Sequence, residues 1–303
     1  MGAKGFLFFA CCLLLVSLLG AYWFIPFQDT YFFPSNANTN FSIDNSSQEQ
    51  MQFYTNLRFL SSSISYRVED CPLNKKAEME QAFWIIANRT ILNFYPVNSN
   101  QEILITCQST NKFEGDLFIA GEGGPVNITS SGNYNIIHNG AILLIKPSEC
   151  GTPNIAIHEL LHVLGFEHSS NPSNIMYRIS NCRQEIGQDM LNKINELYLI
   201  PAYPDISFEN VSVVMHGRYL NSNFTVKNIG LNSSDKFKVK IYADGKVIES
   251  MNIEELNMGT GIKITLQNIF VNQLNVGEIK FFAEYSLEEL EKNNNEIILS
   301  VRS

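Results

Sequence analysis

The chain has 303 residues, 45% of them hydrophobic and 17% charged, an ordinary globular balance that excludes wholesale disorder. The formal net charge is −9 and no basic stripe occurs, which excludes a general nucleic-acid binder, because neutralising phosphates needs clustered Lys and Arg. The length accommodates two ordinary domains with segments to spare.

Residues 5–27 form a run of 23 without a charge. At ~1.5 Å per residue such a helix crosses a ~30 Å hydrocarbon core. Tyr22 and Trp23 suit a membrane interface, and Lys4 marks the inner side. We expect residues 1–27 to be an uncleaved transmembrane anchor, in preference to a cleaved signal peptide. Either segment exports the rest: single-pass in a cell membrane with the N-terminus inside, or secreted if the segment is removed. Seven Asn-x-Ser/Thr sequons fit that side of the membrane.

Residues 28–62, rich in Asn, Ser, Thr and Gln, are expected to be a polar stalk with some order near FYTNLRFL (53–60). A strand follows over 64–68, and Pro72 opens a helix predicted to run to residue 94. Strands are expected over 102–107 and 116–120, with one or two more over 134–146. Helices are predicted over 153–164 and 184–198. This order gives a mixed α+β domain over residues 63–200, a twisted mixed sheet with a helix across it. The acidic stretch at Glu114 and Asp116 could hold Ca²⁺, though a solvated loop is the preferred reading. Residues 199–205, with two prolines, read as a linker. From 205 to 303 about seven short alternating runs, with Asp244-Gly245 as a hairpin signal, predict an all-β sandwich.

Cys11 and Cys12 lie in the apolar run. Cys71, Cys107, Cys150 and Cys182 are too widely spaced for a zinc cluster and suit two disulfides in an exported chain. Three connectivities are open; Cys71–Cys107 with Cys150–Cys182, the neighbours along the chain, is preferred.

The chemistry is concentrated in residues 158–168, HELLHVLGFEH. His158 and His162 stand four apart, so on a helix both imidazoles project from one face. Gly165 can end that helix in a left-handed conformation, and His168 can return as a third ligand. Three neutral imidazoles on one catalytic Zn²⁺ leave a position open for water. Glu159 is not needed as a ligand and can take a proton from the attacking water and pass it to a leaving amine. Five fixed positions of this kind arise by chance on the order of once in 10⁵ chains of this length, which disposes of a helix with incidental histidines.

Met176 follows eight residues after His168, within SNPSNIMYR. HExxHxxGxxH with a Met-turn resembles the metzincin signature, and Ser169 together with Ile175-Met176-Tyr177 is most similar to the matrixins, the matrix-metalloproteinase type. The astacins fit less well, since they place Glu after the third His. The resemblance implies a zinc endopeptidase acting on protein or peptide substrates, with Met176 supporting the histidines from beneath and an edge strand receiving an extended peptide. Arg178 departs from the Pro usual after that turn. Only His138 is available upstream, so no structural zinc is expected. No cysteine lies between residues 28 and 70 for a thiol latency switch, and Asp44 is a candidate to replace it. The C-terminal sandwich resembles the CARDB type of immunoglobulin-like domain through FTVKNIG (224–230), the 242–245 hairpin and EKNNNEI (291–297). Two other functions are consistent with the sequence: surface adhesion through the sandwich, and zinc-dependent hydrolysis of a cell-wall amide.

Overall fold

The computed structural model describes residues 38–43, 50–110, 112–114 and 117–300. The expected membrane anchor, Asp44 and Asp116 lie outside these residues. No helix among the described residues is long and apolar enough to cross a membrane.

A mixed α/β domain is built from β1 (Leu57–Phe59), β2 (Ser63–Val68), α1 (Leu73–Arg89), β3 (Asn93–Pro96), β4 (Ile103–Cys107), the short pair β5 (Lys112–Glu114) and β6 (Leu117–Ile119), β7 (Gly121–Ser131), β8 (Tyr134–Leu144), α2 (Asn154–Val163) and α3 (Gln188–Leu199). β7 runs antiparallel along the whole of one edge of β8, from Gly121 opposite Leu144 to Ser131 opposite Tyr134. A strand has two edges, so β1 and β4, both parallel to β8, share the other. β2 and β3 continue the sheet in parallel. β7 is thus an antiparallel edge strand on an otherwise parallel sheet. Helices α1 and α2 pack on each other, and Met79, Ala82, Phe83 and Ile86 of α1 share one core with Ala156, Ile157, Leu160 and Leu161 of α2.

Several expectations are corrected. The helix predicted to residue 94 ends at Arg89, and Thr90 is extended. The β-branched Thr90 and Ile91 lose side-chain freedom in a helix, and residues 93–96 gain a parallel pairing with β2 instead. Residues 121–131 carry three glycines and a proline and escaped prediction as a strand; they form β7, where an edge position tolerates such residues. The single strand β8 fills 134–144. Helix α2 begins at Asn154, with Pro153 at the cap and no side-chain cap, one residue later than Thr152-Pro153 suggests.

The segment read as a stalk is in large part folded onto this domain. Leu57 and Phe59 are fully buried in its core. The buried Arg58 guanidinium donates to the carbonyls of Phe59, Leu60, Leu197 and Ile200 and lies over the Tyr198 ring, which fastens β1 to the end of α3. Residues 38–43 lie along the loop before α3. Phe41 N donates to Asp189 Oδ2 at 2.8 Å, Ser42 N to Ser169 Oγ at 3.0 Å, and Asn174 Nδ2 to Thr39 O at 2.6 Å.

The disulfides close as preferred: Cys71–Cys107 joins the entry to α1 with the end of β4, and Cys150–Cys182 joins the loops either side of the α2 segment.

The C-terminal part is a β-sandwich of seven strands, β9 (Ile206–His216), β10 (Tyr219–Asn228), β11 (Phe237–Ala243), β12 (Lys246–Ile253), β13 (Gly261–Phe270), β14 (Glu278–Glu284) and β15 (Glu296–Ser300). The sheets β13-β10-β9 and β12-β11-β14-β15 enclose Phe224, Val226, Ile241 and Phe281. Asp244 and Gly245 both have positive φ, 44° and 77°, which gives the tight turn predicted between β11 and β12. At its base, buried Glu289 accepts from Ile206 N and from Asn295 Nδ2, and Asn294 Nδ2 donates to Asp205. The β7–β8 turn meets the sandwich, where Ser131 Oγ donates to Gly230 O at 2.6 Å.

Candidate active site

Helix α2 is apolar on nearly every side, and all of its residues but Ile155 are buried. It therefore crosses beneath the sheet with His158, Glu159 and His162 held inside the domain. It ends in a Schellman turn: Gly165 (φ 98°) donates to His162 O and Phe166 N to Leu161 O. A Cβ at Gly165 would also approach Leu57 Cδ2 to 2.7 Å, so glycine answers both conformation and space.

That turn aims a carbonyl at the site. His162 Nδ1 faces Phe166 O at 2.8 Å, and His158 Nδ1 faces Ile175 O at 2.7 Å. A carbonyl only accepts, so each Nδ1 carries the proton and each Nε2 presents a lone pair. Nε2 of His162 lies 3.0 Å from that of His158 and 3.2 Å from that of His168. Lone pairs brought this close repel unless a cation lies between them. The spacings approach the ~3.3 Å edge of a tetrahedron with ~2.0–2.1 Å metal–nitrogen bonds, so the residues present fit Zn²⁺. These three are the one group of metal-ligating side chains found among the described residues.

Burial holds the triad neutral. His158 is pushed down to about 4, chiefly by desolvation, and His162 to about 3 by desolvation and then by the neighbouring histidines. His168 is lowered by burial and then by the positive charge of Arg178. Glu159, 6% exposed, is pushed up to about 8 by burial and then by Glu122. Glu122 is itself paired with Lys112 Nζ at 3.0 Å.

Met176 is fully buried. Its carbonyl accepts from Ser169 N at 2.9 Å, and its N–H donates to Asn174 Oδ1 at 2.8 Å. Asn174, fully buried, also reaches Thr39 O, so the turn and the 38–43 segment share one anchor. His138, apart from the triad, bonds Thr129 Oγ1 at 2.9 Å. Sequence reasoning missed Asn174, the carbonyls of Phe166 and Ile175, and Phe53, whose ring stacks on His162 at 5.8 Å between centroids.

The triad opens into a cleft of about 710 Å³ lined by β7, the 146–150 loop and residues 178–182. Gly121 and Gly123 of β7 press against Glu159 on one side of it.

The fold and this site define a zinc metalloprotease. Residues 58–199 match the family model of the matrixins and residues 203–298 that of CARDB, so the chain joins a matrixin domain to a CARDB domain. Solved structures similar to parts of it include a CARDB domain from Pyrococcus furiosus described in complex with di-metal ions (20% identity, 33% of this chain and 87% of that one, TM-score 0.29). A domain of a putative cell surface protein from Methanosarcina acetivorans aligns at 16% identity, over 33% of this chain and 93% of that one, with a TM-score of 0.26. High choriolytic enzyme 1, a hatching-enzyme zinc-protease of the medaka Oryzias latipes, aligns at 18% identity over 36% of this chain and 46% of that one, with a TM-score of 0.22. No curated protein matches the chain.

Proposed function

We propose that the chain is an endopeptidase that cleaves protein or peptide substrates outside the cell, with His158, His162 and His168 holding the metal and Glu159 handling protons. The observation that carries this reading is the convergence of three Nε2 atoms beside a buried carboxyl that has no basic partner among the described residues. Zn²⁺ held there would supply Lewis acidity toward the substrate carbonyl and lower the pKa of a water.

The remaining work falls to the chain. β7 offers free backbone groups to an extended peptide, which would add a strand antiparallel to it. Glu159 accepts the proton of the attacking water and returns it to the amine as the peptide bond breaks. Met176 and Asn174 keep the floor of the site rigid. A peptidase domain that takes in β1 ahead of the expected 63–200, a sandwich over 205–303, and attachment to a membrane through residues 1–27 complete the proposal; an uncharged run of 23 residues supports the attachment.

The test compares residues 28–303 with the Glu159→Ala variant for bound zinc and for cleavage of an unstructured protein, with and without chelator. One zinc per chain in both, with chelator-sensitive cleavage in the unmodified protein alone, is expected. Absence of zinc from both proteins would refute the reading.

A further inference from the structure

Arg178 stands two residues after Met176, on a backbone fixed from both sides. Met176 is held by Ser169 and Asn174, and the residues after Arg178 are held by Gln184, whose Nε2 donates to Ile179 O at 2.8 Å and whose Oε1 accepts from Asn181 N at 2.9 Å. The Cys150–Cys182 disulfide then ties this wall to the adjoining 146–150 loop. The exposed guanidinium lines the cleft alongside His168.

The other charges of the cleft form no ion pair with this one among the described residues. Glu122 is paired with Lys112. Lys146 and Glu149 contribute one charge of each sign from a single loop. Arg178 has no ion pair among the described residues, which an exposed arginine at a solvated rim would not by itself make significant. Its place is what matters: a peptide lying along β7 passes between that strand and the 178–182 wall. Side chains on one face of an extended peptide recur every ~6.6 Å, so at least one comes within reach of the guanidinium. The planar fork of arginine is matched to a carboxylate and repels a cation.

We propose that Arg178 selects substrates with an Asp or Glu side chain within a residue or two of the cleaved bond, an inference that rests on the endopeptidase reading above. The test uses the zinc-loaded chain and a set of fluorogenic peptides identical except for Asp, Leu or Lys at each position flanking the bond. The ratio of kcat/KM for Asp over Leu is expected to be about fivefold or more at one position at low salt, with Lys below Leu, and to shrink as salt is added. Arg178→Leu is expected to abolish the ratio, Arg178→Glu to invert it towards Lys, and Arg183→Leu, which removes the same charge outside the cleft, to preserve it. Binding of the same peptides to Glu159→Gln, followed by fluorescence anisotropy, should show the same order without turnover. Cleavage with equal preference for Asp, Leu and Lys, or a ratio that survives Arg178→Leu, would overturn the role of Arg178 while leaving the endopeptidase standing. Failure to cleave any peptide would overturn both.

Discussion

The Cα of Gly121 lies so close to Glu159 that a Cβ there would come within 2.7 Å of Glu159 Cγ and 2.8 Å of its Oε1. The edge strand therefore sets the position of the carboxyl from above, while α2 sets it from below. Gly121→Ala should displace the carboxyl by a fraction of an ångström to an ångström and leave the histidines in place. A misplacement of ~1 Å costs on the order of 10²-fold in rate, so kcat should fall by about that factor with zinc still bound one to one. Activity within threefold of the unmodified protein would show that the strand does not position Glu159. Gly123→Ala meets the backbone of Glu159 and not its side chain, so it should cost stability as well.

The same carboxyl makes the metal-free protein sensitive to alkali. Glu159 has a folded pKa of about 8 against an ordinary value of 4.5. A raised carboxyl contributes stability in full below about 4.5 and loses it as pH rises through about 8. The histidines act in the opposite sense: with folded values of about 4 and 3 against 6.5, their contribution is lost as pH falls through that window. Glu159→Gln removes only the alkaline limb. With chelator present, the variant should melt above the unmodified protein at pH 9, by on the order of a few kcal/mol, and level with it at pH 4. Parallel melting curves across that range would contradict the burial argument.

These two residues also mark what the sequence makes legible. Glu159 and the histidines were readable because a helix repeats its geometry every turn, so spacing alone places them on one face. Gly165 was readable because a helix end needs a left-handed residue. β7 was not, since glycines and Pro125 argue against a strand, and only the pairing with β8 and the closeness of Glu159 explain them. The carbonyls of Phe166 and Ile175 leave no side-chain signature, although they fix the tautomers of both helix histidines. β1 spans three residues inside an Asn-rich stretch, too short for a periodic signal, and is held by Arg58 reaching α3 at the other end of the domain.

Asp189 determines whether residues 38–43 stay docked. It accepts from Phe41 N at 2.8 Å through Oδ2 and from Met190 N at 2.9 Å through Oδ1, so one carboxylate in the first turn of α3 holds the segment. Asp189→Ala should speed amide exchange at residues 38–43 by about tenfold, the loss of a charge-assisted bond, with the sheet unaffected. Unchanged protection of the Phe41 amide would mean that Ser169, Asn171 and Asn174 carry the attachment without Asp189.

The two disulfides separate stability from substrate binding. They close loops of nearly equal length, with sequence separations of 36 for Cys71–Cys107 and 32 for Cys150–Cys182. In the chain-entropy account each contributes about 4 kcal/mol, so replacing either pair with serine should lower Tm by a similar amount. Their positions differ in consequence. Cys71 and Cys107 do not line the cleft, whereas Cys150 and Cys182 both do, and their bond holds the 146–150 loop against the wall that carries Arg178. Only the second replacement should raise KM, on the order of tenfold, because substrate must then order both walls as it binds. Zinc content should be unchanged in both, since neither bond touches the histidines. Equal KM values for the two variants, measured well below either Tm, would show that the loop keeps its place without the bond.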